Sequence, residues 1–185
     1  MTAFPEIETE RLRLRNIEQK DAQSIFQYFS QQEVTKFYGM DSFKTIEDAE
    51  NLIHSFQLGF QSNKMIRWGI ALKDTDELIG TCGFHSISKK YKRAEVGYEV
   101  SNQQWGKGFV QEALKAIFTF GFQDMGFIRI GAVVMIENKP SRKVLEKLGF
   151  NEEGILRNYI IQNEIPYDVI MHSLLKEEWI KGSAH

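Results

Sequence analysis

The stretch Gln103-Gln104-Trp105-Gly106-Lys107-Gly108-Phe109-Val110 decides the reading of this chain. It follows an extended run, Ala94-Glu-Val-Gly-Tyr-Glu-Val100. It opens into a stripe of Phe109, Val110, Ala113, Leu114, Ile117, Phe118, Gly121 and Phe122, whose spacing predicts an amphipathic helix. The chain therefore runs strand, glycine-bearing loop, helix. Two glycines two residues apart let the backbone turn tightly and aim successive N–H groups one way. Those donors add to the positive end of the helix dipole and make an anion site suited to a phosphate or pyrophosphate. A Walker loop would need Ser or Thr after Gly106-Lys107, and Gly108 stands there. A dinucleotide fingerprint would need glycine three residues after Gly108, and Gln111 stands there.

Bulk composition narrows the remaining classes. At 185 residues the chain is expected to form a single domain, with an ordered core over about residues 8–178. Apolar residues make up 42% and charged residues 26%, and the net charge is −2, so nothing general favours nucleic acid as a partner. The lone cysteine, Cys82, cannot form an internal disulfide, which suits a reducing cytoplasm. No apolar run approaches the roughly 20 residues of a membrane helix, and the N-terminus lacks the pattern of a signal peptide. The four histidines, His54, His85, His172 and His185, are scattered without ligand spacing, so no metal site is expected.

Along the chain, Arg11-Leu-Arg-Leu-Arg15 alternates as a half-buried strand does, and residues 18–29 have a helical face. Residues 31–40 show no clear period. Thr45-x-x-Asp48 matches a capping box ahead of a second helix carrying Ala49, Leu52, Ile53, Phe56 and Phe60. Residues 68–72 and 77–84 predict a strand pair. Residues 128–136 form a nearly continuous β-branched run, the signature of a buried strand. Residues 141–148 predict a helix with Pro140 near its first turn and Gly149 at its end. Residues 150–157 and 166–174 supply two last strands. The order β-α-α-β-β-β-α-β-α-β-β is mixed α/β, and the strands flanking the main helix should be parallel.

The loop fits Gln/Arg-x-x-Gly-x-Gly/Ala, and so resembles the acyl-CoA pyrophosphate loop of the GNAT N-acetyltransferases. Ala94-Glu-Val-Gly-Tyr98, Glu112-Ala-Leu114, Asn138-x-x-Ser141, Val144-Leu-Glu-Lys-Leu-Gly-Phe150 and Glu153-Gly-x-Leu-Arg157 follow in order. With Glu8-Thr-Glu-Arg-Leu-Arg-Leu-Arg15, they resemble the RimJ/RimL branch, which acetylates N-termini of ribosomal proteins. The resemblance implies a central seven-stranded mixed sheet with about four helices. Its fourth and fifth strands would splay apart, partly through a bulge near Val100, to admit acetyl-pantetheine.

It also implies direct transfer of acetyl from acetyl-CoA to a primary amine. Val100, Gln103, Trp105, Gly106, Lys107, Gly108, Phe109 and Val110, with Asn138 and Ser141, are the expected cofactor contacts. Ser141 would hydrogen-bond towards sulfur, and a backbone N–H around Val100–Ser101 would meet the oxyanion. Strand alternation puts Glu95, Gly97 and Glu99 on one face, and Glu99, nearest the expected bulge, is the candidate base. The expected acceptor is a protein N-terminal amine. A small amine such as a polyamine, amino acid or antibiotic is the alternative, and a non-catalytic acyl-CoA-binding module is a third. The aromatics Phe37, Tyr38, Phe43, Phe56 and Phe60 could line an acceptor pocket. Cys82 is expected to pack rather than react. The protein would be a monomer or a homodimer, with Leu174 to Trp179 either pairing across a dimer or closing the core, and Lys181–His185 is expected to fray.

Overall fold

The computed structural model describes residues 3–182. Its frame is one eight-stranded sheet in the order β1-β2-β3-β4-β5-β6-β8-β7. The strands are β1 (Ile7–Glu8), β2 (Leu12–Arg15), β3 (Ile66–Leu72), β4 (Leu78–Ser88), β5 (Arg93–Val100), β6 (Arg129–Met135), β7 (Asn151–Gln162) and β8 (Ile165–Leu175). The helices are α1 (Ala22–Phe29), α2 (Gln32–Thr35), α3 (Ile46–Gln61), α4 (Phe109–Gln123), α5 (Lys139–Lys147) and α6 (Lys176–Gly182). The sequence predicts seven strands. The eighth is the two-residue β1, whose Ile7 and Glu8 pair with Leu14 and Arg13 and are too few to show an alternation. The extra helices are short too: α2 spans four residues inside the segment without a period, and α6 spans seven after β8.

Alternation along the central strands assigns each face. On one, Trp68, Cys82, Phe84, Val96 and Val100 form a core with Leu114, Ile117 and Phe118 of α4 and Leu145 of α5. Trp68 is fully buried, with Phe84 and Phe120 edge-on at 6.1 and 5.6 Å. Trp179 of α6 packs on Phe118 and Phe122, so this indole closes the core. Of the tail, Ser183–His185 lie outside the described residues. On the other face, Ile25 and Phe29 of α1 meet Ala49, Ile53 and Phe56 of α3. The predicted capping box at α3 forms, with Thr45 N–H donating to Asp48 Oδ2 at 3.0 Å.

The functional consequence lies between β5 and β6, the parallel pair in this sheet. Their register holds only from Arg93↔Arg129 to Glu95↔Gly131. Beyond that point β6 stays with β8 as far as Met135↔Val169, while β5 stays with β4 as far as Gly80↔Val100. The two strands therefore part like a V whose apex is at Glu95 and Gly131. The expected bulge near Val100 is not there. The β4–β5 register is unbroken from Val100 to Glu95, and its irregularity falls at the opposite end, between His85 and Ser88. The gap opens because each strand keeps its outer neighbour.

Candidate active site

At the open end of the V, the Gly-x-Gly loop turns into α4. Gly106 and Gly108 take φ of 77° and 81°, the left-handed region that glycine adopts without strain. A Cβ at Gly106 would meet nothing within 4 Å, so backbone conformation rather than space calls for glycine there. The first intrahelical bond is Glu112 N–H to Gly108 O at 3.1 Å. The N–H groups of Phe109, Val110 and Gln111 thus precede the helical ladder and are left for a ligand. A clasp from before β2 holds this turn. The Glu112 carboxylate accepts from Thr9 Oγ1 at 2.6 Å, from Arg11 N–H at 2.8 Å and from Arg11 Nε at 2.7 Å. The same Arg11 donates to the Lys107 carbonyl at 3.0 Å and lies 4.5 Å over the Phe109 ring.

A cleft of about 1050 Å³ runs from this loop through the gap to the far face of the sheet. Glu99, Val100, Trp105, Gly106, Gly108, Phe109, Val110, Asn138 and Ser141 all line it. Gln103 and Lys107 do not. Gln103 faces a separate small pocket beside α1, and Lys107 Nζ donates to Gln104 Oε1 at 2.8 Å. Ser101 N–H is bound to Ile79 O at 2.8 Å, which removes it as an oxyanion donor. Strand alternation then turns the N–H groups of Val96, Tyr98 and Val100 towards the open gap. Trp105 Nε1 donates to Val100 O at 3.0 Å across the mouth of the gap.

The α4–α5 side of the gap carries polar groups. Asn138 caps α5, its Oδ1 accepting from Ser141 N–H at 3.2 Å. Its amide NH₂ has no partner among the described residues, which leaves both readings of Asn138, helix cap and cofactor donor, compatible. Ser141 Oγ lies 2.7 Å from Tyr98 Oη. Burial pushes the Tyr98 phenol up to about 12, with the Ser141 hydrogen bond acting in the opposite direction.

The opposite face, under α1–α3, forms the other half of the cleft. Here Glu99 is buried and paired with Arg67. It also accepts from Thr81 Oγ1 at 2.5 Å and Tyr28 Oη at 3.3 Å. Arg67 donates further to Thr81 Oγ1 at 2.6 Å and Tyr38 Oη at 2.8 Å, and its guanidinium lies 5.4 Å over the Phe56 ring. Of the predicted aromatics, Phe37, Tyr38 and Phe56 line this half, whereas Phe43 is buried against Phe29 and Phe60 packs on Phe4. His85 lines it too, with its imidazole near Gly97. Sequence reasoning did not find Arg67, Tyr98 or His85 as site residues. Each enters through a cross-strand or helix–strand neighbour, and the only sequence trace was the period-2 alternation of β5.

Cys82 is buried on the core face, and burial pushes its thiol up to about 12, so no thiolate is available at neutral pH. The described residues hold no cluster of metal-ligating side chains.

An anion loop feeding a gap between diverging parallel strands, with an apolar half-cleft behind it, defines an acyl-CoA-dependent acyltransferase. The acetyltransferase (GNAT) domain family matches residues 11–151, and the chain belongs to that family. An uncharacterized N-acetyltransferase of Bacillus subtilis (strain 168), YoaA, is 46% identical over 173 residues, covering 94% of this chain and 98% of its own length. The ribosomal protein uS5-alanine N-acetyltransferase of Escherichia coli (strain K12) is 25% identical over 186 residues, covering 94% and 92%. Among solved structures, a GNAT-family acetyltransferase from Bacillus anthracis superposes with a TM-score of 0.82 at 29% identity, covering 94% of this chain and 100% of that one. The protein is an N-acetyltransferase that uses acetyl-CoA as its cosubstrate.

Proposed function

We propose that this enzyme acetylates the α-amino group of a protein N-terminus, a ribosomal protein being the first candidate. The observation that carries this reading is the state of the acceptor half-cleft. Its buried carboxylate, Glu99, is already paired with Arg67, and its other walls include Phe37, Tyr38, Phe56, Met65 and Ile160. Apolar walls accept the side chains of a peptide's first residues. A polyamine or aminoglycoside would call for unpaired acids to replace its lost hydration. The E. coli relative named for the alanine of uS5 supports the same class of acceptor.

In the proposed reaction, the loop amides around Gly106–Val110 and the α4 dipole bind the pyrophosphate of acetyl-CoA. Asn138 holds the pantetheine arm along the gap. The thioester carbonyl takes a hydrogen bond from an N–H of β5 that faces the gap, where developing oxyanion charge is met by a fixed donor. Tyr98 and Ser141 stand on the side from which sulfur departs. Glu99 fixes Arg67 and, through it, Tyr38 around the acceptor. Attack is direct, since the buried Cys82 cannot carry an acyl group. An α-amine with a pKa near 8 is about one-tenth neutral at pH 7, against on the order of 0.04% for a lysine near 10.4. An N-terminal acceptor therefore needs only one modest base.

The test is release of CoA thiol from acetyl-CoA with short peptides of varied N-termini, run beside spermidine and an aminoglycoside. Turnover confined to particular peptide N-termini is expected. Turnover with the small amines alone would sink the acceptor assignment and leave the fold and cosubstrate as they are.

A further inference from the structure

Acetylation of an amine must remove a proton from nitrogen, and the ionisable groups along the acceptor half-cleft are few. Arg67 and Lys36 are cations. Tyr38 has its phenol pushed up by burial. Glu99 is engaged by Arg67, Thr81 and Tyr28 at once. Glu33 lies exposed at the rim, where it accepts from Asn102 Nδ2 at 3.2 Å. His85 remains, and its placement suits the task. It pairs across the sheet with Glu95, the last residue of β5 in register with β6, so its side chain rises at the apex of the V. Directly paired residues of antiparallel strands share a face, which puts Glu95, Gly97 and His85 together on the acceptor side.

Gly97 lets two side chains close in. A Cβ there would lie 2.9 Å from Arg67 Nη1, 3.6 Å from His85 Cδ2 and 3.7 Å from its Nε2, so imidazole and guanidinium meet beside backbone that carries no side chain. That backbone is flanked by the gap-facing amides of Val96 and Tyr98. The β4 irregularity between His85 and Ser88, with Ser86 in the left-handed region at φ 51°, re-aims the strand beside this residue. His85 Nδ1 lies 3.2 Å from Ser86 Oγ, and Nε2 has no partner among the described residues.

We propose that His85 is the general base of this acetyltransferase, its Nε2 receiving the proton of the acceptor nitrogen within the cleft that His85 lines. The neutral amine attacks the thioester carbon, forming the C–N bond and moving the carbonyl pair onto oxygen. Nitrogen then loses its proton to Nε2. Collapse of the oxyanion restores C=O and breaks C–S, and the departing thiolate, hydrogen-bonded from the Tyr98–Ser141 side, takes its proton from water. His85 returns its proton to solvent, so acetyl-CoA and an amine become an amide and free CoA thiol. The charges facing the imidazole are Glu95 from β5 and Arg67 from β3. Burial holds His85 below its ordinary 6.5 and Arg67 adds to this, while Glu95 opposes it. The imidazole is therefore neutral, and able to accept, at pH 7.

The inference rests on acetyl transfer to an amine and not on which amine is used. Two measurements test it. The first follows the imidazole resonances of the CoA-bound enzyme by NMR across pH 5–8, with His85 assigned by the signal lost in His85→Gln. A midpoint below about 6.5 is expected, and an imidazole still charged at pH 7 overturns the assignment whatever the acceptor. The second compares kcat for the wild type and His85→Gln on any amine that turns over in the acceptor panel. A loss of roughly 10²- to 10⁴-fold is expected, with the acetyl-CoA KM unchanged and the acid limb of kcat abolished. An unaltered kcat, or an acid limb that survives in His85→Gln and disappears in Glu99→Gln, returns the base to Glu99. A panel in which only small amines react would overturn the protein N-terminal acceptor, and kcat on those amines would still decide whether His85 is the base.

Discussion

Tyr98 shows what a single side chain can and cannot do in this site. Its hydroxyl lies 2.7 Å from Ser141 Oγ and 3.3 Å from the Ser141 carbonyl. Burial raises the phenol to about 12, whereas a cysteine thiol titrates near 8.5. Handing a proton from this phenol to a thiolate is thus uphill by about 3.5 units, or about 5 kcal/mol. In the proposed reaction Tyr98 serves the leaving sulfur as a hydrogen-bond donor, and water completes the protonation. Hydrogen bonds to charged groups are worth about 1.5–3 kcal/mol, so Tyr98→Phe is expected to lower kcat by roughly 10- to 100-fold. CoA affinity by isothermal titration should stay put, because the loop and α4 are untouched. Ser141→Ala should cost less, since Tyr98 would still donate; equal losses would mean that serine is the donor to sulfur. The sequence made Ser141 legible through its spacing from Asn138. Tyr98 was not legible, because its partner comes from a helix 43 residues away.

One scale up, the Gly-x-Gly loop is held by an element the motif does not contain. The Gly-x-Gly spacing and the stripe of α4 could be read directly, since left-handed turns and helical faces are local properties. What fixes the turn is Glu112 in the first turn of α4, tied to Thr9 and Arg11 from the loop before β2. Despite burial, which pushes it up, the carboxyl of Glu112 is held below the usual range by hydrogen bonds from Thr9 and from Arg11. Arg11 also ties down the carbonyl of Lys107, which fixes the peptide unit feeding the amide of Gly108. Arg11→Gln should loosen the turn without unfolding the sheet. Arg11 is partly exposed, and an ion pair of that kind contributes up to about 1 kcal/mol, or about fivefold. The expected result is an acetyl-CoA KM raised about fivefold with kcat for a saturating acceptor nearly unchanged. A fall in kcat at constant KM would show that the clasp acts on the chemistry instead. The same locality explains the bulge that the resemblance implied and the structure lacks. A gap between β5 and β6 depends on which outer neighbour each strand keeps, and β8 arrives only at residue 165.

Across the whole molecule, the two halves of the cleft are assembled from different parts of the chain, and this separation can be tested. The cosubstrate half comes from β5, α4 and α5, which are consecutive in sequence apart from β6, and it was largely legible. The acceptor half joins the segment around Tyr38 to the β7–β8 hairpin, more than 120 residues further on. Gln162, at the end of β7, is buried and makes that joint. Its Nε2 donates to the carbonyls of Thr35 and Met40 at 3.0 Å each, and its Oε1 accepts from Gly39 N–H at 3.1 Å. Gly39 takes φ of 80°, and a Cβ there would stand 3.3 Å from Ile160 Cγ2, so segment and hairpin meet closely as well as through hydrogen bonds. Nothing in the period of residues 31–40 reveals this, because the segment is ordered by a distant glutamine rather than by its own pattern. Gln162→Ala would strip three backbone groups of their partner, at about 1–3 kcal/mol for each that stays dry, with water able to restore part of the loss. The expected outcome is a lower Tm and a raised KM for the peptide acceptor, with the acetyl-CoA KM close to wild type. If both KM values rose together, the hairpin would be supporting the sheet as a whole. A rise confined to the acceptor would show that the far end of the chain shapes acceptor binding and leaves the cosubstrate half of the cleft alone.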